Sequence, residues 1–137
     1  MILMYHKVHP ETPTKWWVSV DEFWRQMEEL QRYIVVSLDR YDPTDPKHVC
    51  ITFDGVYENV YQFAVPILKK FGYPFELFIT GGSIGQGNEF DAGEEPPARF
   101  ASREQLKRCI EAGGRLQWHT TSHPDLTAVD GRALEHE

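Results

Sequence analysis

Apolar positions in this chain come in short runs whose spacing switches between the period of a strand and that of a helix. Met1 to Tyr5 is a brief apolar run that ends at His6, which predicts a buried strand delivering polar residues at its C-terminal end. Ser19 stands three residues before Glu22 as a capping box, and Val20, Phe23, Trp24, Met27 and Leu30 then recur at helical spacing. Together they predict a helix over about 20–32. Tyr33 to Ser37 reads as a short strand, and Asp39 to Lys47, with Pro43, Pro46 and several aspartates, as a turn-rich loop. Val49 to Phe53 is the next strand. Tyr57, Val60, Tyr61, Ala64, Leu68 and Phe71 share one helical stripe that Gly72 stops, and Pro66 is expected to kink it.

Phe75 to Ile79 returns as a strand. Thr80 to Phe100 is a long loop containing several glycines, the pair Pro96–Pro97, and the acidic residues Asp91, Glu94 and Glu95, which read as a solvated face. Ser102 with Gln105 caps a helix through about Ala112, Gly113–Gly114 end it, and Arg115 to Trp118 is a fifth strand. A final helix begins near Asp130. Short apolar strands alternating with helices argue for an α/β fold with a largely parallel sheet, in one domain over 1–137. Function in such folds gathers at the C-terminal ends of the strands, where His6, Asp54 and His119 stand.

Composition narrows the partners. Lys and Arg number 14 against 21 Asp and Glu, a formal charge of −7, and the basic residues do not cluster. Electrostatic binding to nucleic acid or anionic lipid is therefore disfavoured. The apolar runs fall far short of the ~18–20 residues of a membrane helix. The N-terminus lacks a signal-peptide pattern, and Cys50 and Cys109 sit in apolar-periodic segments as small buried residues. These features lead us to expect a cytoplasmic chain.

His119 and His123 are four residues apart directly after a strand, a spacing that lets two imidazoles share a metal. Two turn-forming surface histidines are the alternative. Asp54 ends its strand beside Gly55, so its carboxylate points to the same rim, unless it only caps the helix that starts near Tyr57. A carboxylate with two imidazoles makes a plausible metal site or a base beside one. Trp16 and Trp17 offer aromatic faces on which sugar rings stack, or else pack over the first helix. His6 and His9 are candidates to line the same groove, whereas His48 and His136 read as having no role.

Several segments taken in order resemble the polysaccharide deacetylases of the NodB-homology type, the fourth family of carbohydrate esterases. They are Leu3-Met-Tyr-His-Lys-Val8, Ile51-Thr-Phe-Asp54 with Tyr57 and Asn59, Tyr61 to Leu68, Phe75 to Ile79, and His119-Thr-Thr-Ser-His-Pro-Asp-Leu126. The resemblance implies a distorted (β/α) barrel, a divalent metal, most often zinc, and hydrolytic removal of acetyl groups from a sugar or polysaccharide. It makes His119 and His123 metal ligands and Asp54 the general base. The family's metal-binding aspartate falls on Gly55, and its following glycine on Val56, so either Asp54 becomes the third ligand, or water completes the site, or the metal binds weakly. Nothing after His123 resembles the family's later motifs, which supply a groove arginine and the acid for the leaving amine. Five strands do not close a barrel of about eight, so an incomplete barrel is expected. The function expected on these grounds is a metal-dependent carbohydrate N-deacetylase of cell-surface glycan synthesis. The alternative is a carbohydrate-binding or scaffold protein that keeps the fold without catalysis.

Overall fold

The computed structural model describes residues 1–137. Seven strands and four α-helices follow one another: β1 Ile2–Tyr5, β2 Lys7–Val8, β3 Trp17–Val18, α1 Val20–Glu29, β4 Ile34–Val35, β5 His48–Asp54, α2 Val65–Phe71, β6 Phe75–Ile79, α3 Arg103–Glu111, β7 Gly114–Trp118 and α4 Gly131–Leu134. The main sheet runs β1-β5-β6-β7, with β4 also on β5, and every pairing is parallel. It is an open α/β arc, an incomplete barrel with free edges at β1 and β7. Lys7–Val8 and Trp17–Val18 form a separate two-stranded ribbon that the apolar pattern is too short to announce.

Register sets the two faces of the sheet. Tyr5 pairs with Phe53 and Phe53 with Leu77, and these side chains join Val49, Ile51 and Phe75 against Phe23, Met27 and Leu68 in one core. Each of these large apolar groups contributes on the order of 1.5–3 kcal/mol by leaving water. The opposite face carries Thr52, Asp54 and Glu76. Glu76 is fully buried, and it accepts hydrogen bonds from the Leu38 N–H at 2.8 Å and the Gln117 side chain at 2.7 Å. That satisfies its carboxylate and pins the Ser37 to Arg40 turn across the floor of the arc.

Several local features differ from the expectation or sharpen it. The first strand is half open: Ile2 and Met4 are 50% and 57% exposed, because β1 is an edge strand whose second face nothing covers. Pro66 lies inside one continuous helical run over 58–71, and the disturbance expected of it takes the form of a π-helical stretch over Val60–Ala64, closed by the Val65 N–H on the Val60 carbonyl just before the proline. Glu95 is not solvated, as described below. The box expected at Ser19 is half formed, since Ser19 receives the Glu22 N–H but the Glu22 carboxylate turns to Arg25 and Gln26; Ser102 and Gln105 close a full capping box, and Gly72 ends α2 with a left-handed φ of 69°. Cys50 and Cys109 are free and buried. No helix is long and apolar enough to cross a membrane.

Candidate active site

Parallel strands bring their C-terminal ends to one rim. His6 follows β1, Asp54 ends β5, and His119 follows β7 with its N–H on the Ile79 carbonyl at 2.9 Å. These three, with His123, Lys7, Trp16, Gly55, Tyr57, Phe90 and Asp91, line one cavity of about 380 Å³. Asp54 caps nothing, since the helical run after Tyr57 starts without a side-chain cap. Its carboxylate faces the cavity instead.

The two histidines sit on a strained loop. Their rings meet edge to face at 5.0 Å, and both Thr120 and His123 hold left-handed backbones, φ 64° and 60°. Each such non-glycine residue costs on the order of 1 kcal/mol and persists only where neighbours enforce it. Enforcement comes from the turn after β6, whose Gly81 and Gly82 amides bond the Thr120 and Thr121 carbonyls at 3.0 and 2.8 Å. A Cβ on Gly82 would stand 2.6 Å from the Thr121 oxygen, so only glycine lets the two turns approach this closely. Phe90 stacks on the His123 ring at 4.6 Å, and Phe100, itself stacked on Tyr57 at 4.4 Å, stands behind Phe90.

Burial lowers the pKa of His6 and of His123 below the ordinary 6.5, with the Asp54 charge opposing it in both cases. Both imidazoles therefore favour the neutral form at pH 7, the form in which nitrogen binds a metal. Burial likewise raises the Asp91 carboxyl above its usual range.

The family resemblance implies a divalent metal, and His119 and His123 fit two of its ligands. A third His, Cys, Asp or Glu does not come close enough to complete a group of three. The position expected to supply it is Gly55, whose φ is +64° and where a Cβ would press on Phe100 and Tyr57 at 3.3 and 3.4 Å. The donor set thus offers an ion two imidazoles, with Asp54 on the same cavity, one ligand short of the three that catalytic zinc sites use.

The tryptophans divide. Trp16 lines the cavity and leans on the His6 ring at 4.8 Å. Trp17 lies in an adjoining groove with His9 and Asn59, its indole N–H committed to Glu95 at 2.9 Å. His48 accepts the Asp42 N–H at 3.1 Å and so holds a turn far from the rim. Lys7, Glu95, Phe90 and Asp91 were not predicted as site residues. The loop that carries the last three was long enough to suggest function, but its pattern does not say which side chains turn inward.

The rim of parallel strand ends thus brings a carboxylate and two paired imidazoles onto one cavity. Residues 41–137 match the model of the polysaccharide deacetylase family, and the chain belongs to that family. It is 27% identical over 99% of its length to YxkH of Bacillus subtilis (strain 168), named for the same family, and covers 47% of that protein. It is 27% identical over 82% of its length to the poly-β-1,6-N-acetyl-D-glucosamine N-deacetylase of Staphylococcus aureus (strain MSSA476), covering 34% of it. Among solved structures, IcaB from Ammonifex degensii superposes over 96% of this chain and 56% of its own, with TM-score 0.74 and 28% identity. Streptococcus pyogenes deacetylase PplD, solved with acetate, gives TM-score 0.75 and 26% identity over 96% and 61%. The chain therefore spans less than half the length of the curated relatives it matches.

Proposed function

We propose that this chain carries the reaction centre of a metal-dependent N-deacetylase acting on N-acetylated amino-sugar polysaccharide of the cell surface. The observation that carries this reading is the convergence of His6, Asp54, His119 and His123 on one cavity at the strand ends. Relatives named for poly-β-1,6-N-acetyl-D-glucosamine support the substrate class.

His119 and His123 would hold the ion, zinc by the preference of paired imidazoles. When bound, such an ion supplies polarisation of the acetyl carbonyl and a more acidic water. The chain's own groups do the rest. Asp54 accepts the proton of the attacking water as a new C–O bond forms at the acetyl carbon. Asp54 then gives that proton up through the neutral His6 imidazole, which lines the same cavity and passes a proton to the amine nitrogen as the C–N bond breaks, leaving acetic acid and a free amine. Trp16, against His6, presents an aromatic wall to the sugar ring.

Gly55 favours a second reading, a carbohydrate-binding protein without turnover, because it leaves the centre one carboxylate short. Incubation of metal-loaded protein with poly-N-acetylglucosamine oligomers separates the two. Release of acetate, abolished by Asp54→Asn, supports the enzyme. Oligomer binding with no acetate released supports the binding protein and overturns the enzyme.

A further inference from the structure

The loop His119–His123 is gripped on its amide side by one carboxylate 14 residues beyond it. Glu137 Oε2 accepts the N–H groups of Thr121 and Ser122 at 3.0 and 2.9 Å, and its Oε1 accepts the Ser122 hydroxyl at 2.7 Å. The backbone joins in. The Trp118 indole N–H donates to the Glu137 carbonyl at 2.6 Å, and the Thr121 hydroxyl to the His136 carbonyl at 2.8 Å. Asp130, as N-cap of α4, receives the Arg132 and Ala133 amides and sets the turn that returns Glu137 to the loop.

Successive amides pointing at one anion form a concavity that a carboxylate fills well. The loop's carbonyls are taken from the opposite side by Gly81 and Gly82, and the His123 N–H bonds Thr120 Oγ1 at 3.0 Å. Without Glu137, two adjacent amides would face water beside two residues already in left-handed backbone. The strain would then relax by letting the loop open, and the two imidazoles would part.

We infer that Glu137 is the positioning residue of the histidine pair, its carboxylate keeping His119 and His123 close enough to bind one ion. This rests on the metal reading above. Glu137 is not among the residues lining the cavity, and it acts through the Thr121 and Ser122 amides and the Ser122 hydroxyl.

The test uses the full chain, Glu137→Ala and Glu137→Gln, with Co²⁺ as probe. Competition against a chromogenic chelator gives affinity, and the Co²⁺ absorption spectrum reports the ligand set. Glu137→Ala should bind Co²⁺ at least tenfold more weakly with a changed spectrum, and millimolar formate, which refits the amide concavity, should restore both. Glu137→Gln, which keeps one acceptor oxygen, should fall between. Equal affinity in wild type and Glu137→Ala overturns the inference, as does a loss that formate leaves untouched. If wild type itself takes up no Co²⁺, the metal reading falls. Amide hydrogen exchange at Thr121 and Ser122 then decides the inference: faster exchange by tenfold or more in Glu137→Ala sustains the clamp, and unchanged exchange refutes it.

Discussion

Lys7 and Glu95 stand 88 positions apart and meet as a buried ion pair, Nζ to Oε2 3.3 Å, with side chains 2% and 9% exposed. The same Glu95 oxygen also accepts from the Thr14 hydroxyl at 3.1 Å and the Trp17 indole at 2.9 Å. Above the ammonium lie the Tyr57 ring at 4.4 Å and the Trp17 ring at 5.2 Å. One carboxylate thus sews the Thr80 to Phe100 loop to the segment after β1, and those two segments form facing walls of the cavity.

Removing one partner of this pair should cost far more than its net contribution. Glu95→Gln leaves a buried ammonium without its counter-charge, and chemical denaturation should show a loss of about 3 kcal/mol. Lys7→Met fills the slot between the rings with an apolar chain of similar length but leaves Glu95 with its two neutral donors, so it should cost less. A loss under about 1 kcal/mol for Glu95→Gln would mean that the pair is solvated in solution.

Acid should expose the same pair. Burial pushes the Glu95 carboxyl up, but hydrogen bonds from Thr14, Trp17 and Lys7 outweigh it and hold the pKa below its ordinary 4.5. A carboxyl lowered on folding stabilises the fold above its unfolded pKa, and that contribution disappears as pH falls through the folded value. The unfolding free-energy gap between wild type and Glu95→Gln should therefore be flat above about pH 5 and shrink below pH 4.5. A gap that stays constant down to pH 3 would contradict this arrangement.

Much of this architecture was legible in the sequence. Strand positions from Val49 to Phe53 and Phe75 to Ile79, the Ser102 cap and the placement of His6, Asp54 and His119 follow from periodicity and from where parallel strands end. The roles come only as what the resemblance implies. Glu95 could not be read, because an acidic residue in a Gly/Pro-rich loop carries the same pattern whether it faces water or a lysine 88 residues away. Nor could the opening of β1: Ile2 and Met4 look like core from their own neighbours, and only the sheet order shows an edge. Gly55 was recognised as a departure, but its left-handed backbone and the rings pressed on it are tertiary facts.

That backbone gives Gly55→Asp two opposite effects. The new carboxylate stands where the family resemblance puts a ligand, so metal affinity should rise at least tenfold, or about 1.4 kcal/mol. The metal-free protein should lose on the order of 1–2 kcal/mol, since a side chain at φ +64° is strained and its Cβ meets Phe100 at 3.3 Å. Titration calorimetry and denaturation in chelator measure the two separately. Unchanged affinity with lowered stability would show that another group, such as Asp91 on the same cavity, already fills the position.

His6 carries the most discriminating expectation. The tetrahedral adduct of an N-acetyl group must expel an amine, which leaves poorly unless protonated, and a positioned acid typically contributes ~10²–10⁴-fold. His6 is the one cavity imidazole outside the histidine pair. Its half-buried ring is fixed by Trp16 at 4.8 Å and feels the charge of Asp54. His6→Ala should therefore lower the rate on N-acetylglucosamine oligomers by at least a hundredfold. Aryl acetates expel phenolate, which needs no proton, so the same substitution should change their hydrolysis by less than tenfold. The ratio of the two rates in one preparation cancels differences in folding and metal content. If both substrates lose activity equally, His6 shapes the cavity and does not deliver the proton. If oligomer turnover survives in His6→Ala, the proton reaches the amine from another group.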